Sequence, residues 1–318
     1  VTLTDKGYVK RMAIDTYHSQ RRGGVGVNAT NTIEDDVIKD MYIAKNLDTL
    51  LIFTTKGKVF ALKVYEIPET GKQARGKLIN NLIKLSEDEK VSTIIKVRAH
   101  DEDNRELFFI TKKGIVKKTE ARLFFHINKN GIRALTLKGE DELTYVGLTS
   151  GTKKNEVFIA TRAGFAIRFS EEDVRSMGRT AAGVKGINLR KDDFVVSAAI
   201  VNPETDLDKL SVLTITDEGY GKRTSLKEYK VQTRGGKGII NLKVNDKTGK
   251  IVDVKIVDNE TEIMLITSEG TLIRTKVDSI SVIGRSTSGV RIMKVRNEEK
   301  VASTVKITEE TELEIEKI

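Results

Sequence analysis

The chain has 318 residues, 55 Lys and Arg against 46 Asp and Glu for a formal net charge of +9, and no Cys. That length suits two or three ordinary domains or one large repeat array. The absence of cysteine excludes a disulfide framework, a thiolate metal site and a cysteine nucleophile, and fits a reducing, cytoplasmic setting; no apolar run approaches the ~20 residues of a membrane-spanning helix.

The charge excess points to a polyanionic partner. It lies in the body of the chain, because the last ten residues, EETELEIEKI, hold five Glu and one Lys. The chain opens on VTLTDKGYV, without Met, without a signal peptide and already inside a strand pattern, so it reads as a piece of something larger.

Taken in chain order, VTLTDKGYVKR, LIFTTKGKVFA, FFITKKGIVKK, FIATRAGFAIR, LTITDEGYGKR and MLITSEGTLIR are copies of one pattern. An apolar, β-branched run ends in a threonine (Thr4, Thr54, Thr111, Thr161, Thr216, Thr267). Two residues follow, then a glycine (Gly7, Gly57, Gly114, Gly164, Gly219, Gly270) and a second run. The glycines are separated by 50, 57, 50, 55 and 51 residues. Each copy predicts a β-hairpin whose tight turn needs φ > 0, hence Gly every time.

Each unit reads as four strands. In the second these are DVIKDMYIAK, TLLIFTT, KVFALKV after the Lys56-Gly57 turn, and KLINNLIKL after the loop PETGKQARG. Helical periodicity is nowhere sustained and only two prolines occur, so the chain is predicted to be all-β. Six four-stranded units at this period are the pattern of radial, propeller-like blades over residues 1–318. The C-terminal KVASTVKITEETELEIEKI resembles the opening half of a further unit. It is expected to pack beside the start of the chain and help close the ring. Its Glu312-Leu313-Glu314-Ile315-Glu316 alternation predicts a strand.

The turn glycines serve as a ruler for the charges. Fifteen residues beyond them lie Arg22, Lys72, Lys129, Arg179, Arg234 and Arg285, and four beyond lie Arg11, Ala61, Lys118, Arg168, Arg223 and Arg274. A solvated strand face would also repeat its Lys and Arg because the unit repeats. The pairing of a basic hairpin position with a basic, glycine-bearing loop instead draws a charged belt. Such a belt suits a phosphate backbone, which Lys and Arg neutralise without reading sequence. Glycines there let main-chain N–H groups approach phosphate oxygens.

The fullest form of that loop is Gln20-Arg21-Arg22-Gly23-Gly24-Val25-Gly26. Unit five repeats it as Gln232-Thr233-Arg234-Gly235-Gly236-Lys237-Gly238, and TGKQARG, MGRTAAG and IGRSTSG are worn copies. A nucleotide cradle is a poorer account. Gly24, Gly26 and Ala29 formally fit GxGxxA without a βαβ unit around them, and GGKG lacks the Ser or Thr of a Walker loop. QRRGGVG after TLTDKGYVKR resembles the gyrase box, Q-[RK]-R-G-G-[RK]-G, found in the C-terminal domain of the DNA gyrase A subunit, GyrA. Gln20, Arg21, Arg22, Gly23, Gly24 and Gly26 match, and Val25 departs where a basic residue stands in the family.

The resemblance covers the whole chain. It implies a six-bladed β-pinwheel whose strands swap between blades and which wraps double-stranded DNA around a basic perimeter, enabling ATP-dependent negative supercoiling. It further implies a fragment that is not itself catalytic and holds no cofactor, ATP, Mg and the cleavage tyrosine belonging to the rest of the enzyme. The implied partners are DNA, the remainder of GyrA and the second gyrase protein, GyrB, in an A2B2 assembly, with no membrane and with the isolated domain monomeric. The implied DNA contacts are the box, Val25 included, with Arg11, Lys72, Lys118, Lys129, Arg168, Arg179, Arg223, Arg234, Lys237, Arg274 and Arg285.

Other readings stay open. The corresponding domain of topoisomerase IV usually has fewer blades and a degraded box. A protein-interaction propeller has no need of the same charge on every blade. A central hydrolase site would need carboxylates or histidines at one recurrent inner offset. His18, His100 and His126 fall in separate units without metal-ligand spacing, and Tyr8 and Tyr220 occupy equivalent positions after the turn glycine, where packing explains them.

Overall fold

The computed structural model describes residues 1–4, 6–13, 38–42, 44–71, 74–97, 104–127, 130–202, 204–268, 272–295 and 299–307. The predicted hairpins form at all six sites: Thr2–Thr4 with Tyr8–Lys10, Thr49–Thr54 with Lys58–Lys63, Glu106–Thr111 with Ile115–Glu120, Glu156–Thr161 with Phe165–Ser170, Ser211–Thr216 with Tyr220–Ser225, and Glu262–Thr267 with Leu272–Lys276. Each is the middle of one blade.

The threonine and glycine of the repeat act together. At Gly57 the N–H donates to the carbonyl of Thr54 (2.9 Å), and the next N–H, of Lys58, donates to the Thr54 Oγ1 (3.2 Å). The same pair of bonds closes the turns at Gly7, Gly114, Gly164 and Gly219. These glycines have φ between +75° and +97°, as expected. They also meet a demand the spacing does not reveal. A Cβ on Gly164 would lie 2.3 Å from the Leu242 carbonyl oxygen, and one on Gly219 2.4 Å from that of Met293. The chain of the following unit crosses directly over each turn and donates to the glycine carbonyl, as Asn241 and Leu242 do to Gly164.

That crossing exchanges strands between blades. The inner strands Ile38–Met41, Val91–Val97, Leu143–Leu148, Val195–Val201, Ile251–Val257 and Val301–Ile307 pair with the first hairpin strand of blades 1 to 6. The outer strands come from the next unit along. Lys77–Leu78 caps blade 1, Ile132–Arg133 blade 2, Val184–Lys185 blade 3, Ile239–Ile240 blade 4 and Val290–Arg291 blade 5. Five blades are thus four-stranded, and three strands of the sixth are described.

This corrects the grouping of the second unit. The strand within DVIKDMYIAK and the Lys77–Leu78 strand both belong to blade 1, and KLINNLIKL continues as a 3-10 turn at Ile79–Asn81. A repeat period fixes spacing but not phase. The C-terminal strand is likewise the inner strand of blade 6, not the opening of a further unit. It does lie beside Ile38–Met41, so the last blade adjoins the first. Residues 308–318, with the Glu312–Glu316 alternation, lie outside the described residues.

The core sits between blades. Along one strand Leu50 and Ile52 pack with Leu3 and Val9 of blade 1, while Leu51 and Phe53 pack with Leu107 and Phe109 of blade 3. Both faces of each hairpin are therefore buried, which is why LLIF, LFFI and VFIA read as unbroken apolar runs. Phe53, Phe109 and Phe124 meet with ring centroids 5.5–6.1 Å apart. Burial of each such side chain contributes about 1.5–3 kcal/mol.

Candidate nucleic-acid interface

The two basic rows have different fates. Lys118, Arg168 and Arg223, four residues beyond their turns, are buried and point across the seam into the next blade. The Arg168 guanidinium donates to the Leu226 and Tyr229 carbonyls (2.9 and 3.0 Å) and pairs with Glu156 (2.5 Å). Arg223 donates to Ile280 O at 2.7 Å and to Asn259 Oδ1 at 2.6 Å, and its burial lowers its pKa. Lys118 Nζ reaches Glu171 O at 3.2 Å and lies between the carboxylates of Glu106 (3.2 Å) and Glu171 (3.6 Å).

Arg11 repeats the device more openly, on Ile67 O (2.8 Å) and Glu69 (2.6 Å). In every case the acceptors include a carbonyl at the short 3-10 turn of the following unit or at the residue that ends it. Arg274 pairs with Glu262 within its own hairpin. For Lys118, Arg168 and Arg223 the expectation of a phosphate contact gives way to an inter-blade staple, because their donors are spent inside the ring.

The loop row stays at the surface. Arg179, Arg234 and Arg285 are half-buried and Lys237 is exposed. Arg234 donates from Nε to Asp173 O (2.8 Å) and from Nη1 to Lys185 O (3.0 Å). Arg285 donates likewise to Ile240 O (2.9 Å). Lys185 and Ile240 are equivalent outer-strand residues, so each loop is clamped to the blade before it. Arg22, Lys72, Lys129 and the whole segment Gln20–Gly26 lie outside the described residues.

The ruler misses a third row. Lys77, Arg133, Lys185 and Arg291 are exposed on the outer strands of blades 1, 2, 3 and 5. Their distance from the turn glycine slides between 19 and 21 residues, which hides them from a fixed offset. Arginines also cover the aromatic residues that follow the turns: Arg75 stands 3.8 Å above the Tyr8 ring, Arg190 3.2 Å above Phe165 and Arg291 5.3 Å from Tyr220. Tyr8 and Tyr220 are packing residues, as their positions suggest.

Toward the ring's centre the chemistry changes. Register-equivalent inner-strand positions hold Asp40, Thr93, Tyr145, Ser197, Asp253 and Ser303, so a carboxylate stands in two of the six blades and a hydroxyl in the other four. Asp253 accepts from the hydroxyls of Ser197 (2.7 Å) and Thr304. His126 is exposed, and among the described residues no group of three or more His, Cys, Asp or Glu could hold a metal. No described helix is long and apolar enough to cross a membrane. The arrangement can hold an extended anion along its rim.

Comparison with known proteins agrees with this geometry. The family model described as "DNA gyrase C-terminal domain, beta-propeller" matches six consecutive stretches, residues 1–45, 48–98, 105–150, 155–202, 211–258 and 261–308. The DNA gyrase GyrA protein of Staphylococcus epidermidis is 42% identical over 310 residues, covering 98% of this chain and 34% of that protein. The GyrA protein of Lawsonia intracellularis is 44% identical over 295 residues, covering 93% and 35%. The chain therefore spans about a third of these relatives' length. A solved gyrase A C-terminal domain superposes with a TM-score of 0.80 at 25% identity, covering 96% of this chain and 98% of that one. The C-terminal domain of a DNA topoisomerase IV gives 0.79 at 26%, covering 99% and 96%. The chain belongs to the DNA gyrase C-terminal domain family of beta-propellers.

Proposed function

We propose that the chain is the DNA-wrapping part of a GyrA protein, binding duplex DNA around its rim without catalysing a reaction itself. The observation that carries this is the segregation of exposed charge. Lys77, Arg133, Lys185 and Arg291 on the outer strands join Arg179, Arg234, Lys237 and Arg285 in the loops between them. Outer strands and loops alternate around the blades, so a duplex following the described rim meets outer-strand cations on blades 1, 2, 3 and 5 and loop cations from Arg179 to Arg285. Main-chain and Arg contacts of this kind position a backbone and carry no sequence information. Few aromatics, and none of them Trp, leave little for stacking on single-stranded bases.

In this reading the segment Gln20–Gly26 adds the first blade's grip, with Val25 supplying one cation fewer. The rest of GyrA together with GyrB, in an A2B2 assembly in the cytoplasm, supplies the cleavage tyrosine, ATP and Mg. The corresponding topoisomerase IV domain is the second reading, favoured by its near-equal superposition. The nearly complete box and the gyrase relatives at 42–44% identity favour gyrase.

Competition tests the binding mode. Unrelated duplexes of equal length are expected to displace a bound duplex about equally, and single strands less well. A strong preference for one short sequence would count against backbone recognition.

A further inference from the structure

Three lysines lie beneath the rim rather than on it. Three residues beyond the turn glycine, at register-equivalent positions, blades 1, 3 and 5 hold Lys10, Lys117 and Lys222, whereas blades 2, 4 and 6 hold Phe60, Ile167 and Ile273. Lys117 and Lys222 are fully buried. Lys117 Nζ donates to the carbonyls of Ala134 (2.5 Å), Arg179 (2.5 Å) and Gly178 (3.3 Å). Lys222 Nζ donates to those of Gly284 (2.7 Å) and Arg285 (2.6 Å) and to Thr287 Oγ1 (3.3 Å). Lys10 reaches Ala74 O at 2.8 Å.

The loops over Lys117 and Lys222 share a sequence, Gly178-Arg179 and Gly284-Arg285. Over the apolar positions the chain instead lays a later glycine against the side chain. A Cβ on Gly131 would lie 2.5 Å from the Phe60 ring, and one on Gly236 3.6 Å from Ile167. An apolar side chain thus fills this place in alternate blades without the desolvation an ammonium suffers there. Packing alone does not call for lysine.

The carbonyls of Gly178, Arg179 and Arg285 face the ammonium, and a trans peptide places its N–H opposite its C=O. The N–H groups of Arg179, Thr180 and Ser286 are therefore directed outward. Thr180 and Ser286 are exposed, and none of the three N–H groups meets an acceptor among the described residues. At Gly178-Arg179 two successive outward N–H groups beside an arginine form an anion-binding concavity; at Gly284-Arg285 the Arg285 N–H already donates to the Glu228 carboxylate (3.2 Å) and the Ser286 N–H alone is left beside the arginine. A cation on the carbonyl side polarises these groups further.

We infer that the rim carries two kinds of phosphate seat in alternation, and that Lys117 and Lys222 are positioning residues that hold Gly178-Arg179 and Gly284-Arg285 so that outward N–H groups and the arginine together receive a phosphodiester of duplex DNA. This rests on the duplex-binding reading above. Burial, then the Arg179 guanidinium, push the Lys117 ammonium down to about 7. Burial, with Arg285 adding to it and Glu228 opposing it, pushes Lys222 down to about 8. The Phe109 ring, 4.8 Å from Lys117 Nζ, adds no titratable group. A bound phosphate favours both ammonium forms, so binding takes up protons and affinity falls as pH rises through this range.

The test is the double variant Lys117→Met, Lys222→Met of the 318-residue chain, titrated with a short duplex well below its melting temperature. Two seats losing charge-assisted contacts are expected to weaken binding about tenfold or more at neutral pH and to flatten the fall of affinity with pH that the unaltered chain shows. Unchanged affinity with an unchanged pH profile, alongside weakening by Arg179→Ala with Arg285→Ala, would overturn the inference while leaving duplex binding intact. An unaltered chain that binds no duplex would instead reject the reading beneath it. The amide resonances of Thr180 and Ser286 in the unaltered chain decide the matter independently of the variant's folding. They are expected to shift on adding duplex, and their standing still would contradict the seat.

Discussion

Duplex affinity should fall by about 10³–10⁵ between roughly 50 and 200 mM salt, the response of a protein that makes six to ten phosphate contacts. The described rim supplies cations in that range: Lys77, Arg133, Arg179, Lys185, Arg234, Lys237, Arg285 and Arg291. Each neutralised phosphate releases condensed counterions, and the gain shrinks as free salt rises. Titrations at several salt concentrations give the slope directly. A shallow slope would mean that few of these side chains meet phosphate, and the rim would lose its role.

The second large effect separates the two basic rows. Replacing the buried Lys118, Arg168 and Arg223 together by Ala should unfold the chain or lower its urea midpoint severely. Arg168→Ala alone should cost about 3–5 kcal/mol, because it leaves the Glu156 carboxylate without its partner, removes the side-chain donor from the Tyr229 carbonyl and leaves the Leu226 carbonyl only the Tyr229 N–H. Replacing Arg179, Arg234 and Arg285 by Ala should act the other way round. The lost bonds of Arg234 and Arg285 to the Asp173, Lys185 and Ile240 carbonyls cost about 1 kcal/mol or less each, while three missing phosphate contacts weaken duplex binding about a hundredfold or more. Denaturation and binding measured on both triples check this. A folded, stable protein lacking the buried row would show that the staples do not hold the blades together.

These expectations mark what the chain's order of residues discloses. Thr4, Gly7 and their repeats were legible because one hydroxyl and one positive φ close each turn, a local demand. The apolar runs disclosed two-sided burial. The phase of the blades was not legible, since Lys77–Leu78 joins the sheet of the preceding unit through a crossing over Gly7 that no local signal marks. Nor does charge reveal burial. Arg168 and Arg179 look alike in sequence, and only the carbonyls of the next unit's 3-10 turn distinguish a staple from a contact. The same holds for Lys117 and Lys222, which a charge count places on the surface and the fold places beneath it.

Wrapping, as opposed to binding, is the central claim, and linking number measures it most directly. A nicked circular duplex saturated with the chain, resealed by ligase and stripped of protein, retains any path the DNA took around the rim. A linking-number shift of one sign that grows with the amount of chain bound is the predicted result. A circle whose linking number is unaltered at saturation, with binding shown in the same samples, would contradict it.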